Sequence, residues 1–151
     1  MTFQAKPKAD LKCDLLQFTD ITTLPLNYDF TVNTTPVNTS AVIDSNGYIQ
    51  LHNNSNWRLE ANCLSGFNAG DNYEIICHWY DGSSNLGNRG RISTYLRTEL
   101  SRGSCSVLLR SSDISGTITI RPRVTSLAGT IQHDVDNVHA TPSVRIYEIE
   151  N

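Results

Sequence analysis

The stretch Tyr73-Glu74-Ile75-Ile76-Cys77-His78-Trp79-Tyr80, followed by Asp81-Gly82-Ser83-Ser84-Asn85, decides the fold class. Tyr73, Ile75, Cys77 and Trp79 fall on one side of an extended chain and Glu74, Ile76, His78 and Tyr80 on the other, the period of two that a β-strand imposes. Both sides carry apolar groups. The strand is therefore expected inside a sheet, with Tyr73, Ile75, Ile76, Trp79 and Tyr80 in the core or, through the second face, against another chain. The following five residues are turn formers, because Asp and Asn bond their own backbone and Gly tolerates positive φ.

The same signature repeats on both sides of this strand. Short apolar or alternating runs occur at 15–21, 26–32, 41–51, 57–64, 90–96, 105–111, 116–124, 129–134 and 143–150, separated by Gly, Asn, Asp, Ser and Pro. Turn signals at this spacing predict an all-β antiparallel sandwich of roughly eight to ten strands. Thr117 to Arg121 alternates well, and Pro122 after it cannot donate to a ladder, which predicts an edge or a bulge. Residues 93–102 offer only Leu96 and Leu100 at helical spacing and read as strand running into loop.

Length and composition agree. The 151 residues suit one domain, only 18% are charged, and 15 Ser, 15 Thr and 14 Asn favour turns and strands over helix interiors. No apolar run approaches a membrane span, and Met1 to Lys12 lacks the apolar segment of a signal peptide, so synthesis in a cytoplasm is expected. Cys13, Cys63, Cys77 and Cys105 are far apart with no CxxC pair, and are expected to be free, reduced and mostly buried.

The net charge of −3 argues against nucleic-acid binding, but it is unevenly spread. All three lysines, Lys6, Lys8 and Lys12, precede residue 13, giving that segment +2 and the rest −5. The expected organisation is an extended N-terminal arm over residues 1–14 and one domain over 15–151. The arm would contact a neighbouring subunit through Phe3, Lys6, Lys8, Leu11 and Lys12, with apolar burial supplying most of the affinity and the lysines the steering.

Motifs for a nucleophile elbow, a phosphate loop or a zinc-protease helix are absent, so no catalytic residue, cofactor or metal is expected. His78 beside Trp79 and Tyr80 reads as a packed histidine without an orienting partner. Asp134 and Asp136, within His133 to His139, begin like a calcium loop but lack its Gly and its bidentate Glu, and a solvated loop is the expectation. Arg89, Arg91 and Tyr95, continued by Arg97 and Arg102, are candidate ligand contacts, because Arg presents a fork to carboxylates; pairing with acids of the same assembly is the plainer reading.

Four stretches carry a family resemblance: Gly47-Tyr48-Ile49-Gln50-Leu51 with Trp57-Arg58-Leu59-Glu60-Ala61; Tyr73 to Gly90; Gly116 to Ser126; and Ser143 to Glu150. In this order and spacing the chain, over about residues 40–150, resembles the tumour-necrosis-factor-like jelly rolls of tailed-bacteriophage head fibres, capsid decoration or cement proteins and tail-needle knobs. The resemblance implies a jelly-roll sandwich, a homotrimer about a threefold axis, and a place on the virion surface. Fibre and needle members carry a long stalk, whereas only some forty residues without heptads precede the matched region here. That favours a non-enzymatic capsid decoration protein bound to the major capsid protein, made in the host cytoplasm. The alternative is a receptor- or carbohydrate-binding knob with a host surface glycan as partner. No nucleic-acid or membrane partner is expected.

Overall fold

Alternation along the chain becomes pairing between strands. The computed structural model describes residues 11–63, 67–69, 73–94, 99–100, 104–129, 131–133 and 142–150, with 67–69, 73, 88–94, 99–100, 104 and 131–133 described by backbone alone. They form β1 (Leu11–Gln17), β2 (Val42–Ile43), β3 (Ile49–His52), β4 (Ser55–Asn62), β5 (Phe67–Ala69), β6 (Tyr73–Tyr80), β7 (Asn85–Thr94), β8 (Glu99–Leu100), β9 (Ser104–Leu109), β10 (Thr117–Ala128), β11 (Ile131–His133) and β12 (Ser143–Glu150). Every ladder is antiparallel, and no α-helix occurs among the described residues. The fold is an all-β sandwich.

Nine strands follow one another in the order β1-β12-β4-β9-β7-β6-β10-β3-β2. Between β9 and β7 the ladder narrows to the single pair Asn88 and Ser106. Gly87, at φ +68°, allows that approach: a Cβ there would collide with the Ser106 carbonyl oxygen and with Val107. The seam divides the order into two layers, β1-β12-β4-β9 and β7-β6-β10-β3-β2. Strands β5, β8 and β11 come from the connections β4–β6, β7–β9 and β10–β12, and they form a separate small sheet in the order β11-β5-β8.

Between the layers lies one apolar core. Leu16, Trp57, Leu59, Ala61, Val107, Val144 and Ile146 face Ile49, Leu51, Ile75, Cys77, Trp79, Ile120 and Val124. The segment before β2 adds Phe18, Leu24, Phe30 and Val32, with the Phe18 and Phe30 rings 5.4 Å apart. Each tryptophan also ties its own layer to the other. Trp57 Nε1 of β4 donates to the His52 carbonyl of β3 (2.9 Å), and Trp79 Nε1 of β6 donates to the Cys105 carbonyl of β9 (3.1 Å). Buried indole N–H groups require such partners.

Two local expectations change. β1 starts at Leu11, so 11–14, expected to belong to the arm, are sheet residues paired with Asp14↔Ile146 and Leu11↔Ile149. β10, expected to show an edge or a bulge at Pro122, is an interior strand between β6 and β3, with its bulge after Val124. The proline is tolerated because its pairing with β3 ends at Ile120, and beyond it the irregular segment around Asp29 takes over, with the Phe30 N–H donating to the Pro122 carbonyl (2.9 Å).

Candidate functional site

Four of the seven exposed large hydrophobic side chains among the described residues lie on the outward face of β1-β12-β4-β9. Burial alternates along β12, with Val144, Ile146 and Glu148 inward and Arg145, Tyr147 and Ile149 outward. Cross-strand pairing then sets Leu11 beside Ile149 and Asn56, Cys13 beside Tyr147, Arg58 and Leu108, and Leu15 beside Arg145, Glu60 and Ser106. Leu11 and Leu15 are each 61% exposed, Leu108 64% and Ile149 41%, far more than core leucines and isoleucines. A groove of about 390 Å³ runs between Leu11, Asn56, Trp57, Arg58, Leu108, Tyr147 and Ile149. Charge on this face is sparse: Arg58 pairs with Glu60, and Arg145 stands exposed beside Leu15; Lys12 Nζ meets Glu150 (2.7 Å) at the end of the same strands.

Beneath this sheet two buried carboxylates point inward. Asp14 accepts from the backbone N–H groups of Val37 (3.1 Å), Asn38 (3.0 Å) and Thr39 (2.7 Å) and from the Thr39 hydroxyl (2.7 Å). Glu148 accepts from the Ser40 N–H (2.8 Å), the Ser40 hydroxyl and the Ser55 hydroxyl (2.6 Å). Burial pushes both carboxyls up. Bonds from Thr39, Val37 and Asn38 outweigh it at Asp14, and bonds from Ser40 and Ser55, with the field of His52, outweigh it at Glu148, so both sit below the ordinary carboxylate range. Together they latch residues 37–40 over the edge of the core.

Ser40, His52 and Glu148 resemble a nucleophilic triad in composition but not in wiring. His52 Nδ1 accepts the Asn54 N–H (3.1 Å), so the neutral ring carries its proton on Nε2, the nitrogen that faces Ser40 Oγ. Ser40 in turn donates to Glu148. A base that already bears a proton toward the hydroxyl cannot activate it, and the acid here holds the serine instead of orienting the histidine. The cluster is a clamp.

On the other layer, β3, β10 and β6 present a different outward face. Arg121 lies over Tyr48 (4.3 Å to the ring centroid) and Tyr80 (4.9 Å), and Arg123 lies over Tyr80 (4.1 Å). Asp29 accepts from Arg123 Nε (2.8 Å) and Nη2 (3.3 Å). These contacts hold the Arg123 guanidinium charged, the Asp29 bond contributing most. His78 Nδ1 meets the Thr125 hydroxyl at 2.7 Å, the packed histidine expected from its aromatic neighbours.

The sequence-derived candidates fall in several places. Ile75 and Trp79 are core; Ile76 and Tyr80 are half-buried on the outward face of β6, where Tyr80 is covered by arginines of the same chain; Tyr73 opens β6 opposite Thr94. Leu11 and Lys12 lie in β1, Lys12 paired with Glu150. Arg89 and Arg91 lie in β7, Arg91 opposite Ile76. Phe3, Lys6, Lys8, Tyr95, Asp134 and Asp136 lie outside the described residues. All four cysteines are free; Cys63, Cys77 and Cys105 are buried, and burial together with mutual thiol hydrogen bonds pushes Cys63 well up, leaving it an unreactive core group. Cys13, expected with the buried ones, is exposed on the outward face of β1. Among the described residues no group of three or more His, Cys, Asp or Glu is placed to hold a metal ion.

Sequence reasoning missed Leu15, Leu108, Tyr147 and Ile149 as a surface. One signal was available: Val107-Leu108-Leu109 and Ile146-Tyr147 break the apolar–polar alternation, putting an apolar side chain where a one-sided sheet would carry a polar one. No family model matches the chain. A search among curated proteins likewise finds no match. What fold and surface define is an antiparallel β-sandwich with one apolar outer face and one arginine–tyrosine outer face.

Proposed function

We propose that the chain is a non-enzymatic structural protein of a tailed-phage virion, a capsid decoration or cement protein that associates as a homotrimer through the outward face of β1-β12-β4-β9. The exposed Leu11, Leu15, Leu108 and Ile149, with the half-buried Tyr147 among them, carry this reading. Burying such a side chain contributes roughly 1.5–3 kcal/mol, so four or five together offset an association cost of about 4–15 kcal/mol, whereas one or two would not. A second copy suits the patch because little charge would be buried with it: Arg58 is paired with Glu60, and Arg145 stands exposed beside Leu15.

Strand order supports the jelly-roll part of the reading. Numbered among themselves, the eight main strands β1, β3, β4, β6, β7, β9, β10 and β12 pair as first-eighth-third-sixth and second-seventh-fourth-fifth, the double Greek key of a jelly roll. Residues before β1, with Phe3, Lys6 and Lys8, are the proposed contact with the major capsid protein. The alternative, a carbohydrate-binding knob, draws on the arginine–tyrosine face. Light scattering of the purified chain at micromolar concentration, followed by addition to undecorated capsids, tests the proposal. A trimer that binds capsids and leaves phage adsorption to cells intact is expected; a stable monomer, or a trimer that blocks adsorption and ignores capsids, overturns it.

A further inference from the structure

The arginine–tyrosine face holds a charge that the chain itself does not balance. Two guanidinium groups share one carboxylate there, and Asp29 spends both oxygens on Arg123. Arg121 Nε stands 3.6 Å from Asp29 Oδ1, beyond hydrogen-bond reach, and has no hydrogen-bond partner although it is buried. Its side chain is only 14% exposed, and among the described residues the guanidinium donates no hydrogen bond; two tyrosine rings are its remaining support. Buried donors of a permanently charged fork are normally met by an anion, since ring faces attract the charge but accept no N–H in the plane of the guanidinium.

Of this fork only Nε is both buried and unpartnered, so the edge that a ligand can reach is the one formed by Nη1 and Nη2. Gly82, at φ +100°, would place a Cβ 3.6 Å from Arg121 Nη1 and 3.9 Å from Nη2, ordinary van der Waals contact, so the turn lies against the fork and leaves there only the space of its missing side chain. Asp81 in the same turn is committed elsewhere: its Oδ1 accepts from the Ser83 N–H (2.8 Å), the Ser84 N–H (2.7 Å) and the Ser83 hydroxyl (3.1 Å). One step along the strands, on the same face as Arg121 and Tyr48, the half-buried Thr119 and Gln50 are direct cross-strand partners. Tyr80 adds a hydroxyl, which donates to the Gly82 carbonyl (2.9 Å) and keeps its lone pairs for a further donor. The fork therefore adjoins uncharged groups suited to sugar hydroxyls.

We propose that the Nη edge of Arg121, beside Arg123 and beneath the Asp81–Ser84 turn, is a carboxylate subsite for an acidic saccharide, with Gln50, Thr119 and Tyr80 meeting hydroxyls of the same sugar. The inference rests on the fold alone and is independent of the virion reading.

Sodium glucuronate titrated into the full chain, with sodium chloride withdrawn mole for mole, tests it by the Arg121 and Arg123 Nε–H signals in ¹H–¹⁵N spectra. The expected result is a saturable shift of both with a millimolar-range Kd, and acetate binding about tenfold more weakly because it lacks the hydroxyls. Arg121→Gln abolishes the Arg123 response, and Arg121→Lys, which keeps the charge without the fork, weakens it about tenfold. Arg110→Gln, directly after β9 and away from this face, leaves it unchanged. No saturable shift up to about 100 mM glucuronate, or an undiminished Arg123 response in Arg121→Lys, overturns the site. Acetate binding as tightly as glucuronate overturns its assignment to a saccharide.

Discussion

The two outward faces of this sandwich are built on the same core and solve surface exposure in opposite ways. On β1-β12-β4-β9, leucine and isoleucine side chains stand in water around the half-buried Tyr147, with little charge among them. On β3-β10-β6, the aromatic rings Tyr48 and Tyr80 are roofed by arginines from β10. A tyrosine covered by its own chain has little to gain from a partner, while an uncovered leucine does. The difference separates an uncovered apolar surface, on which the proposed self-association rests, from a charged one, on which the proposed anion subsite rests.

The comparison can be broken first at the shared core. Trp57→Ala in one layer and Trp79→Ala in the other should each cost about 3–5 kcal/mol in denaturant unfolding, because each removes a fully buried indole and an interlayer hydrogen bond. If one costs less than about 1 kcal/mol, the layers do not share a single core. Next comes the latch. Glu148→Gln replaces an acceptor of three hydrogen bonds by an amide with one oxygen, and should destabilise by about 2–3 kcal/mol.

Acid should act on the same latch. Asp14 and Glu148 have folded-state pKa values below their unfolded ones, so their stabilisation is complete above about pH 5 and is lost as pH falls through the folded values, below 4.5 for Glu148 and below 3.8 for Asp14. Unfolding free energy followed from pH 6 to pH 3 should therefore decline more steeply in the native chain than in Glu148→Gln; parallel curves would exclude Glu148 as a source of the decline.

Smaller effects sharpen the contrast between the faces. Tyr48→Leu should cost about 0.5–1 kcal/mol by removing one ring from Arg121, with no change in oligomeric state. Leu108→Glu should reverse that pattern: the folded monomer changes by less than about 0.5 kcal/mol, and self-association, read by sedimentation, is lost. A Leu108→Glu chain that stays associated would move the interface to another face.

Much of the fold was legible because a strand writes its two faces into alternate residues. Tyr73 to Tyr80 gave an interior strand with Ile75, Cys77 and Trp79 in the core, and the turn after it formed around Asp81 as its residues implied. The start of β1 was not legible: Leu11-Lys12-Cys13-Asp14 mixes one apolar, two charged and one small residue, and becomes a strand only because β12 lies beside it. Pro122 misled for a related reason, since an interior strand can host a proline wherever its neighbour on that side changes. The candidate surface was the least legible part. Glu148 reads as exposed in Tyr147-Glu148-Ile149 until Ser40 and Ser55, more than ninety residues away, supply its partners, and that inversion sends Tyr147 and Ile149 outward. Long-range satisfaction of a buried acid leaves no local trace.

The position of β12 also orders events in time. It lies between β1 and β4, so the sheet that bears the exposed leucines cannot close until residues 143–150 have left the ribosome. Until then β1 has no neighbour and the edge of β4 is open, while the other layer, built from contiguous β6 and β7 with β3 and β10, can already pair. Leu11 can meet Ile149 only once β12 has emerged. The apolar outer face thus forms after the strands of the other layer, so that nascent chains without β12 also lack the surface on which the proposed association rests.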